Sequence, residues 1–129
     1  MSDSRATVEA FYAAINERRM TDAIGWLADD VRWHRPPDVP VTGTVEGSER
    51  VRRMWAAFTG SLERFEIAAT GFEAGEESLM AIVTMRGTAP DGRGDFEFGG
   101  CQVFRFDGGL IAEVHEFRSL DQGRALLSG

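Results

Sequence analysis

Apolar positions recur at helical spacing through the first half of the chain and at strand spacing through the second. Between Ser4 and Arg19, Val8, Phe11, Tyr12 and Ile15 stand at i, i+3, i+4 and i+7, which forms one stripe on a helix. Ser2, Asp3 and Ser4 offer caps for its start. Thr21 can cap a shorter second helix in which Ile24, Leu27 and Ala28 share a face. That pattern breaks at "ADDVRWHRPP", where Pro36 and Pro37 stop whatever Val31 to His34 begins, because proline has no N–H for a helix or a central strand. A third helix starts at Ser48, with Val51, Met54, Trp55 and Phe58 again at i, i+3, i+4 and i+7. From residue 62 the period becomes two, with glycine-bearing turns at "EAGEES", "APDGRGD" and "FDGGL". This predicts strands over 63–72, 78–88, 95–106 and 110–119. Three helices followed by an antiparallel meander imply an α+β fold, one domain over 1–129, with the helices on one face of a strongly curved, mainly antiparallel sheet.

The strand faces carry more information than the strand ends. In the third strand Phe96, Phe98, Gly100, Gln102, Phe104 and Phe106 share one face, and Glu97, Gly99, Cys101, Val103 and Arg105 share the other. The phenylalanine face is expected to be covered. On the second strand Met80, Ile82 and Thr84 alternate with Ala81, Val83 and Met85, so both faces are largely apolar. An outer apolar face calls for a partner, most simply a second copy, which predicts a homodimer through the convex face with Cys101 packed there.

Charge and composition narrow the chemistry. With 43% hydrophobic residues in 129, the chain can bury a core. Its 14 basic and 21 acidic residues leave a net charge of -7, which disfavours nucleic acid and anionic membranes as partners. All the basic residues are arginine, so no lysine is available for a Schiff base. The lone Cys101 excludes an internal disulfide, and "MSDSRATVEAF" lacks the pattern of a signal peptide. No segment approaches the roughly 20 apolar residues of a membrane span, so a cytoplasmic protein is expected. The two histidines are distant in sequence, and no close Cys/His/Asp spacing suggests a metal. Nor does a glycine-rich phosphate loop suggest a nucleotide, and no cofactor is expected.

Three stretches, "VEAFYAAINERRMTDAIGWLADDVRW", "GTVEGSERVRRMWAAF" and "CQVFRFDGGLIAEVHEFRSL", stand in the order used by the SnoaL-like branch of the nuclear transport factor 2-like superfamily, which the chain resembles over nearly its whole length. The resemblance implies a cone, in which helices close a curved sheet around a deep apolar pocket. The superfamily spans ketosteroid isomerases, polyketide cyclases, limonene-type epoxide hydrolases, dehydratases and non-catalytic modules, so these stretches mark a fold and leave the chemistry open. Position by position, Arg35 stands where ketosteroid isomerases carry their proton-shuttling aspartate. Gln102 and Phe11 replace their oxyanion-hole acid and tyrosine. The Arg and Asp that the epoxide hydrolases use on an earlier strand match Ala81 and Val83. Glu116, by contrast, matches the pocket aspartate of those hydrolases and of SnoaL-type cyclases.

These matches and the strand parity give a candidate site. Val114, Glu116 and Arg118 share the face that the family register turns to the pocket, while Glu113, His115 and Phe117 share the other. Burial would raise the pKa of Glu116 and the Arg118 guanidinium would lower it, which suits an acid that exchanges protons near neutral pH. The competing reading is a structural salt bridge between the two. His34 is a second titratable candidate, although strict alternation turns Trp33 and Arg35 inward and His34 outward. Gln102, Arg35 or Arg118 would hold a developing oxyanion. Phe11, Trp33, Trp55, Met80, Ile82, Thr84, Phe98 and Val114 would line the pocket. The expected activity is cofactor-independent acid/base chemistry on an apolar, carbonyl-bearing or polycyclic substrate, by isomerisation, aldol-type cyclisation, dehydration or addition of water. The alternatives are a ligand-binding module and a dimeric scaffold whose cone is filled.

Overall fold

A computed structural model describes residues 2–36, 43–92 and 94–128. The chain runs α1 (Ser2–Asn16), α2 (Met20–Ile24), β1 (Leu27–His34), β2 (Thr44–Glu46), α3 (Ser48–Gly60), β3 (Arg64–Ala74), β4 (Ser78–Thr88), a 3-10 turn (Pro90–Gly92), β5 (Asp95–Asp107), β6 (Leu110–Phe117) and α4 (Leu120–Ser128). The strands form a single sheet in the order β2-β1-β6-β5-β4-β3. Every neighbouring pair is antiparallel except β1 and β6, which run parallel.

That topology positions the site. After β1 and β2 the chain crosses through α3 to the far edge, and the meander β3 to β6 carries it back until β6 closes on β1. Side chains about eighty residues apart in sequence thereby become lateral neighbours, such as Trp33 and Val114 or His34 and His115. The apolar stripe of α1 lies on the inner face, where Val8, Phe11, Tyr12 and Ile15 are buried against Ile67, Ala81, Val83, Phe104 and Val114. Burial of a residue such as Phe11 or Phe104 stabilises the fold by about 1.5–3 kcal/mol. Asn16 fixes the end of α1 to β3 with two hydrogen bonds: its Nδ2 donates to the Ile67 carbonyl at 2.9 Å and its Oδ1 accepts from the Ile67 N–H at 2.8 Å.

The structure departs from the local sequence pattern in four places. First, α1 ends at Asn16, short of Arg19, and Arg18 takes a left-handed conformation at φ 59°. Second, α2 ends at Ile24, and Leu27 and Ala28 belong to β1, because Leu27 pairs with Ile111 on β6 and this long-range pairing overrides the helical spacing. Third, β1 and β2 form a sheet edge that local periodicity did not predict, while Pro37 and Arg93, read as a strand stop and part of a turn, lie outside the described residues. Fourth, a C-terminal helix, α4, covers part of the outer face.

This fourth helix changes the account of that face. Met80, Cys101 and Val103 are buried there against Leu120, Leu126 and Leu127, and Arg124 Nη2 pairs with Glu73 Oε2 on β3 at 2.8 Å. Cys101 and Val103, on the face where a second copy was expected, are thus covered by the chain's own helix, and Met80, expected in the pocket, is buried beside them. No described helix is long and apolar enough to cross a membrane.

Gly123 is the closest point of this docking. A Cβ there would stand 2.4 Å from Cys101 Sγ and 2.8 Å from Met80 Sδ. Alanine gains up to about 1 kcal/mol of helix propensity over glycine, but overpacking a tight contact costs about 1–3 kcal/mol. Gly123→Ala is therefore expected to lower the unfolding free energy measured by urea denaturation. An unchanged or raised midpoint would show that α4 is not seated so closely.

Candidate functional site

A cavity of about 500 Å³ opens between α3 and the inner face of the sheet. That volume lies in the range of about 300–1,000 Å³ common for small-molecule sites. Met54, Trp55 and Phe58 of α3, Met85 of β4 and Phe98 of β5 supply most of its apolar wall. Arg35 and Pro36, just beyond β1, and Glu116 and Arg118, at the end of β6, supply its polar end. Among the described residues Glu116 is the one carboxyl lining this cavity.

Glu116 is held from behind by neutral donors. Trp33 Nε1–H donates to Oε1 at 2.7 Å, and Gln102 Nε2–H donates to Oε2 at 2.8 Å. The Tyr12 hydroxyl in turn donates to Gln102 Oε1 at 2.5 Å. Each partner comes from a different element: Tyr12 from α1, Trp33 from β1, and Gln102 from β5, where it pairs with Glu116 across the sheet. Trp33 and Gln102 are essentially fully buried, so neither can turn to another partner without leaving a polar group unpaired.

The electrostatics follow from this enclosure. Burial pushes the Glu116 carboxyl above the usual glutamate range, against the pull of the Trp33 and Gln102 hydrogen bonds and of the Arg35 guanidinium. Burial, with added repulsion from Glu116 and Cys101, raises the Tyr12 hydroxyl well above its ordinary value and keeps it a donor. Arg118 lines the cavity but makes no ion pair with Glu116 among the described residues, so the structural salt bridge is not formed.

The candidate residues separate into three groups. Glu116, Arg35, Arg118, Trp55 and Phe98 line the cavity. Gln102 lies behind Glu116 on a narrow recess of about 40 Å³, where it is spent on positioning the carboxyl. Phe11, Trp33 and Val114 face inward but are wholly buried in the core beneath the cavity. Met80, Ile82 and Thr84 are on the opposite face, because Met80 pairs with Val103 and Ile82 with Cys101, so their side chains emerge under and beside α4. The other parity of β4 supplies the lining residue Met85, while Met54 and Phe58 extend the α3 stripe already visible in the sequence.

His34 is on the outer face, as alternation requires, and does not line the cavity. Its Nδ1 lies 2.9 Å from Thr44 Oγ1 and its Nε2 2.6 Å from Glu113 Oε2. The two histidines, distant in sequence, are stacked with ring centroids 4.0 Å apart. Burial raises the Glu113 carboxyl, but the His34 hydrogen bond and the nearby charges of His115, His34 and Arg32 together hold it below its ordinary value.

A family model for the SnoaL-like domain matches residues 8–114. The chain belongs to the SnoaL-like domain family. Its fold is similar to an NTF2-like protein from Burkholderia pseudomallei, at 24% identity over 100% of each chain with a TM-score of 0.77. It is also similar to an LEH-like epoxide hydrolase from Mycobacterium tuberculosis, at 19% identity over 98% of this chain and 90% of that one with a TM-score of 0.77. A third likeness, to a Mycobacterium tuberculosis protein in complex with estradiol-17β-hemisuccinate, has 16% identity over 92% and 95% of the two chains and a TM-score of 0.79. No curated protein sequence matches the chain. These likenesses describe the fold, which is shared by isomerases, cyclases and epoxide hydrolases.

Within this SnoaL-like chain the inner wall at Ala81 and Val83 is buried and apolar, so no second acid and no arginine stand there beside Glu116. The family match also ends two residues before Glu116, whose placement comes from the register of β6 between β1 and β5. A raised folded-state pKa means that charging Glu116 costs stability above that pKa, and the cost disappears as pH falls to the ordinary glutamate range. Glu116→Gln removes the charge. Its stability relative to wild type is expected to rise as pH climbs from the ordinary glutamate value of about 4.3 through the raised value of the folded-state carboxyl, and to level off above it. Denaturation at a series of pH values measures this; a difference that does not change with pH would contradict the burial of a charged carboxyl.

Proposed function

We propose that the chain is a cofactor-independent enzyme in which Glu116 moves a proton on an apolar, carbonyl-bearing or polycyclic substrate. The observation that carries this reading is one carboxyl among the described lining residues, gripped by Trp33 and Gln102, at the polar end of an apolar cavity of about 500 Å³. A carboxylate with a raised pKa takes a proton from carbon more effectively than an ordinary one, and Glu116 also lines the cavity where a substrate would sit. Arg35 and Arg118 are the cations at the same end of the cavity, and they serve the oxyanion that forms when the proton leaves.

Among the described residues the cavity is lined by one carboxyl, and that favours some reactions over others. Addition of water across a bond calls for a second group to hold and activate the water, whereas enolate formation needs one base and one oxyanion donor. Isomerisation or aldol-type closure is accordingly favoured over hydrolysis. The steroid ester held by the Mycobacterium tuberculosis relative is consistent with a polycyclic ligand. A non-catalytic ligand-binding module is the second reading, favoured by the fact that both Glu116 oxygens already accept hydrogen bonds, as a structural carboxylate would.

Deuterium exchange at the carbon next to a ketone separates the two without knowledge of the natural substrate. Incubated with 2-tetralone in deuterated buffer, the wild-type protein is expected to speed exchange over buffer alone, and Glu116→Gln to lose about 10²–10⁴-fold of that acceleration. If 2-tetralone raises the melting temperature of both proteins equally and neither speeds exchange, the chain is a binding module.

A further inference from the structure

The outer face of β1 and β6 carries a cluster with a different chemistry, separated from Glu116 by the sheet itself. His34 and His115 are Cα partners in the parallel pairing, and Glu113 precedes His115 by two residues, so all three side chains emerge on one face. Glu113 Oε2 lies 2.6 Å from His34 Nε2 and 4.0 Å from His115 Nε2. One potential ligand atom from each residue falls within 4.8 Å of the other two.

We propose that His34, Glu113 and His115 form a binding site for a divalent transition-metal ion, zinc foremost. Two imidazole nitrogens and one carboxylate oxygen are a donor set that suits zinc, cobalt or nickel, with a coordination position left for water, whereas magnesium and calcium select oxygen ligands. Three features of the cluster support this beyond composition. The ligands stand on two hydrogen-bonded strands and not on loops, so their backbone spacing is fixed. Thr44, on β2, engages His34 Nδ1 at 2.9 Å, the outer-shell contact that orients a metal-bound imidazole and presents its Nε2. All three side chains are between 21% and 25% exposed, so an ion can reach them and is then partly shielded from water.

The arrangement also specifies what must move. An ion has to lie in the plane of each imidazole it binds, yet the two rings are stacked with only 15° between their planes. His115 is the ring free to turn. Among the described residues its enclosed Nδ1 has no partner and its Nε2 is too far from Glu113 for a hydrogen bond, so rotation about Cβ–Cγ gives up its stacking on His34 and Phe117 but no hydrogen bond. Arg32 Nη1 lies 3.9 Å from Glu113 Oε2 and competes for that oxygen, but its Nε is 3.9 Å from Glu46 Oε2, which leaves it a partner when the ion takes Glu113. This site does not depend on the catalytic reading of the cavity.

The test uses the full chain without an affinity tag, stripped of metal by a chelator and titrated with zinc chloride near neutral pH. The chain contains two histidines in all, so its imidazole NMR signals report on this cluster alone. Both sets of signals are expected to shift and saturate together at one ion per chain, with no such shift from magnesium chloride. By calorimetry, His34→Ala and His115→Ala should each weaken zinc binding by at least about tenfold. Imidazole signals that stay unmoved in excess zinc, or zinc affinity that survives both substitutions, would overturn the site. Because the NMR titration is done on the unaltered chain, the result stands even if a variant fails to fold.

Discussion

A carboxyl group in an apolar cone is expensive to charge, and the arrangement of the inner sheet around Glu116 offsets that expense only in part. Trp33 and Gln102 each bring one neutral N–H to one carboxylate oxygen, and Tyr12 sets the orientation of the Gln102 amide. Charge-assisted hydrogen bonds of this kind favour the ionised form, whereas enclosure favours the neutral one. Enclosure prevails, so the carboxyl is raised but still ionisable. The whole topology serves this contact: β6 has to lie between β1 and β5 for a tryptophan 83 residues away in sequence and a glutamine 14 residues away to meet on the same side chain.

The same closure of β6 on β1 gives the protein two chemically distinct faces. Alternation along one strand turns Val114 and Glu116 to the cone and Glu113 and His115 to the outside, and the parallel register sets Trp33 and His34 beside them in the same way. Inside, the acid accepts hydrogen bonds from neutral donors, with Arg35 and Arg118 at the same end of an otherwise apolar cavity. Outside, the neighbours are imidazoles and arginine, where Glu113 is drawn below its ordinary pKa while Glu116 is raised. Two glutamates three residues apart are thus shifted in opposite directions by their surroundings, Glu116 upward and Glu113 downward.

Much of this was legible in the sequence where one face of an element was plainly more apolar than the other. The α1 and α3 stripes and the four meander strands rest on such contrasts, whereas the inward face of Glu116 came from the resemblance to the family and not from hydrophobicity. Legibility failed where the contrast vanished. With Met80 and Ile82 on one side of β4 and Val83 and Met85 on the other, hydrophobicity could not choose a face, and the register with β5 decided it. Leu27 fits a helical stripe but is claimed by a strand through a partner at Ile111, a long-range pairing that leaves no local trace. The nine residues of α4 contain a central glycine and too short an apolar run to stand out, so the helix that covers part of the outer face was not predicted. The histidine cluster was hidden for the same reason as the Trp33 contact, since only the parallel pairing brings its members together.

The central claim is that the protein keeps Glu116 enclosed and difficult to charge, and the most direct measurement is its own titration. With side-chain carboxyls labelled with carbon-13, the Glu116 signal followed by NMR is expected to titrate above the ordinary glutamate value of about 4.3, and Trp33→Phe, which removes a donor to the carboxylate, to move it higher still. A midpoint at or below the ordinary value in the wild-type protein, unmoved by that substitution, would contradict the account.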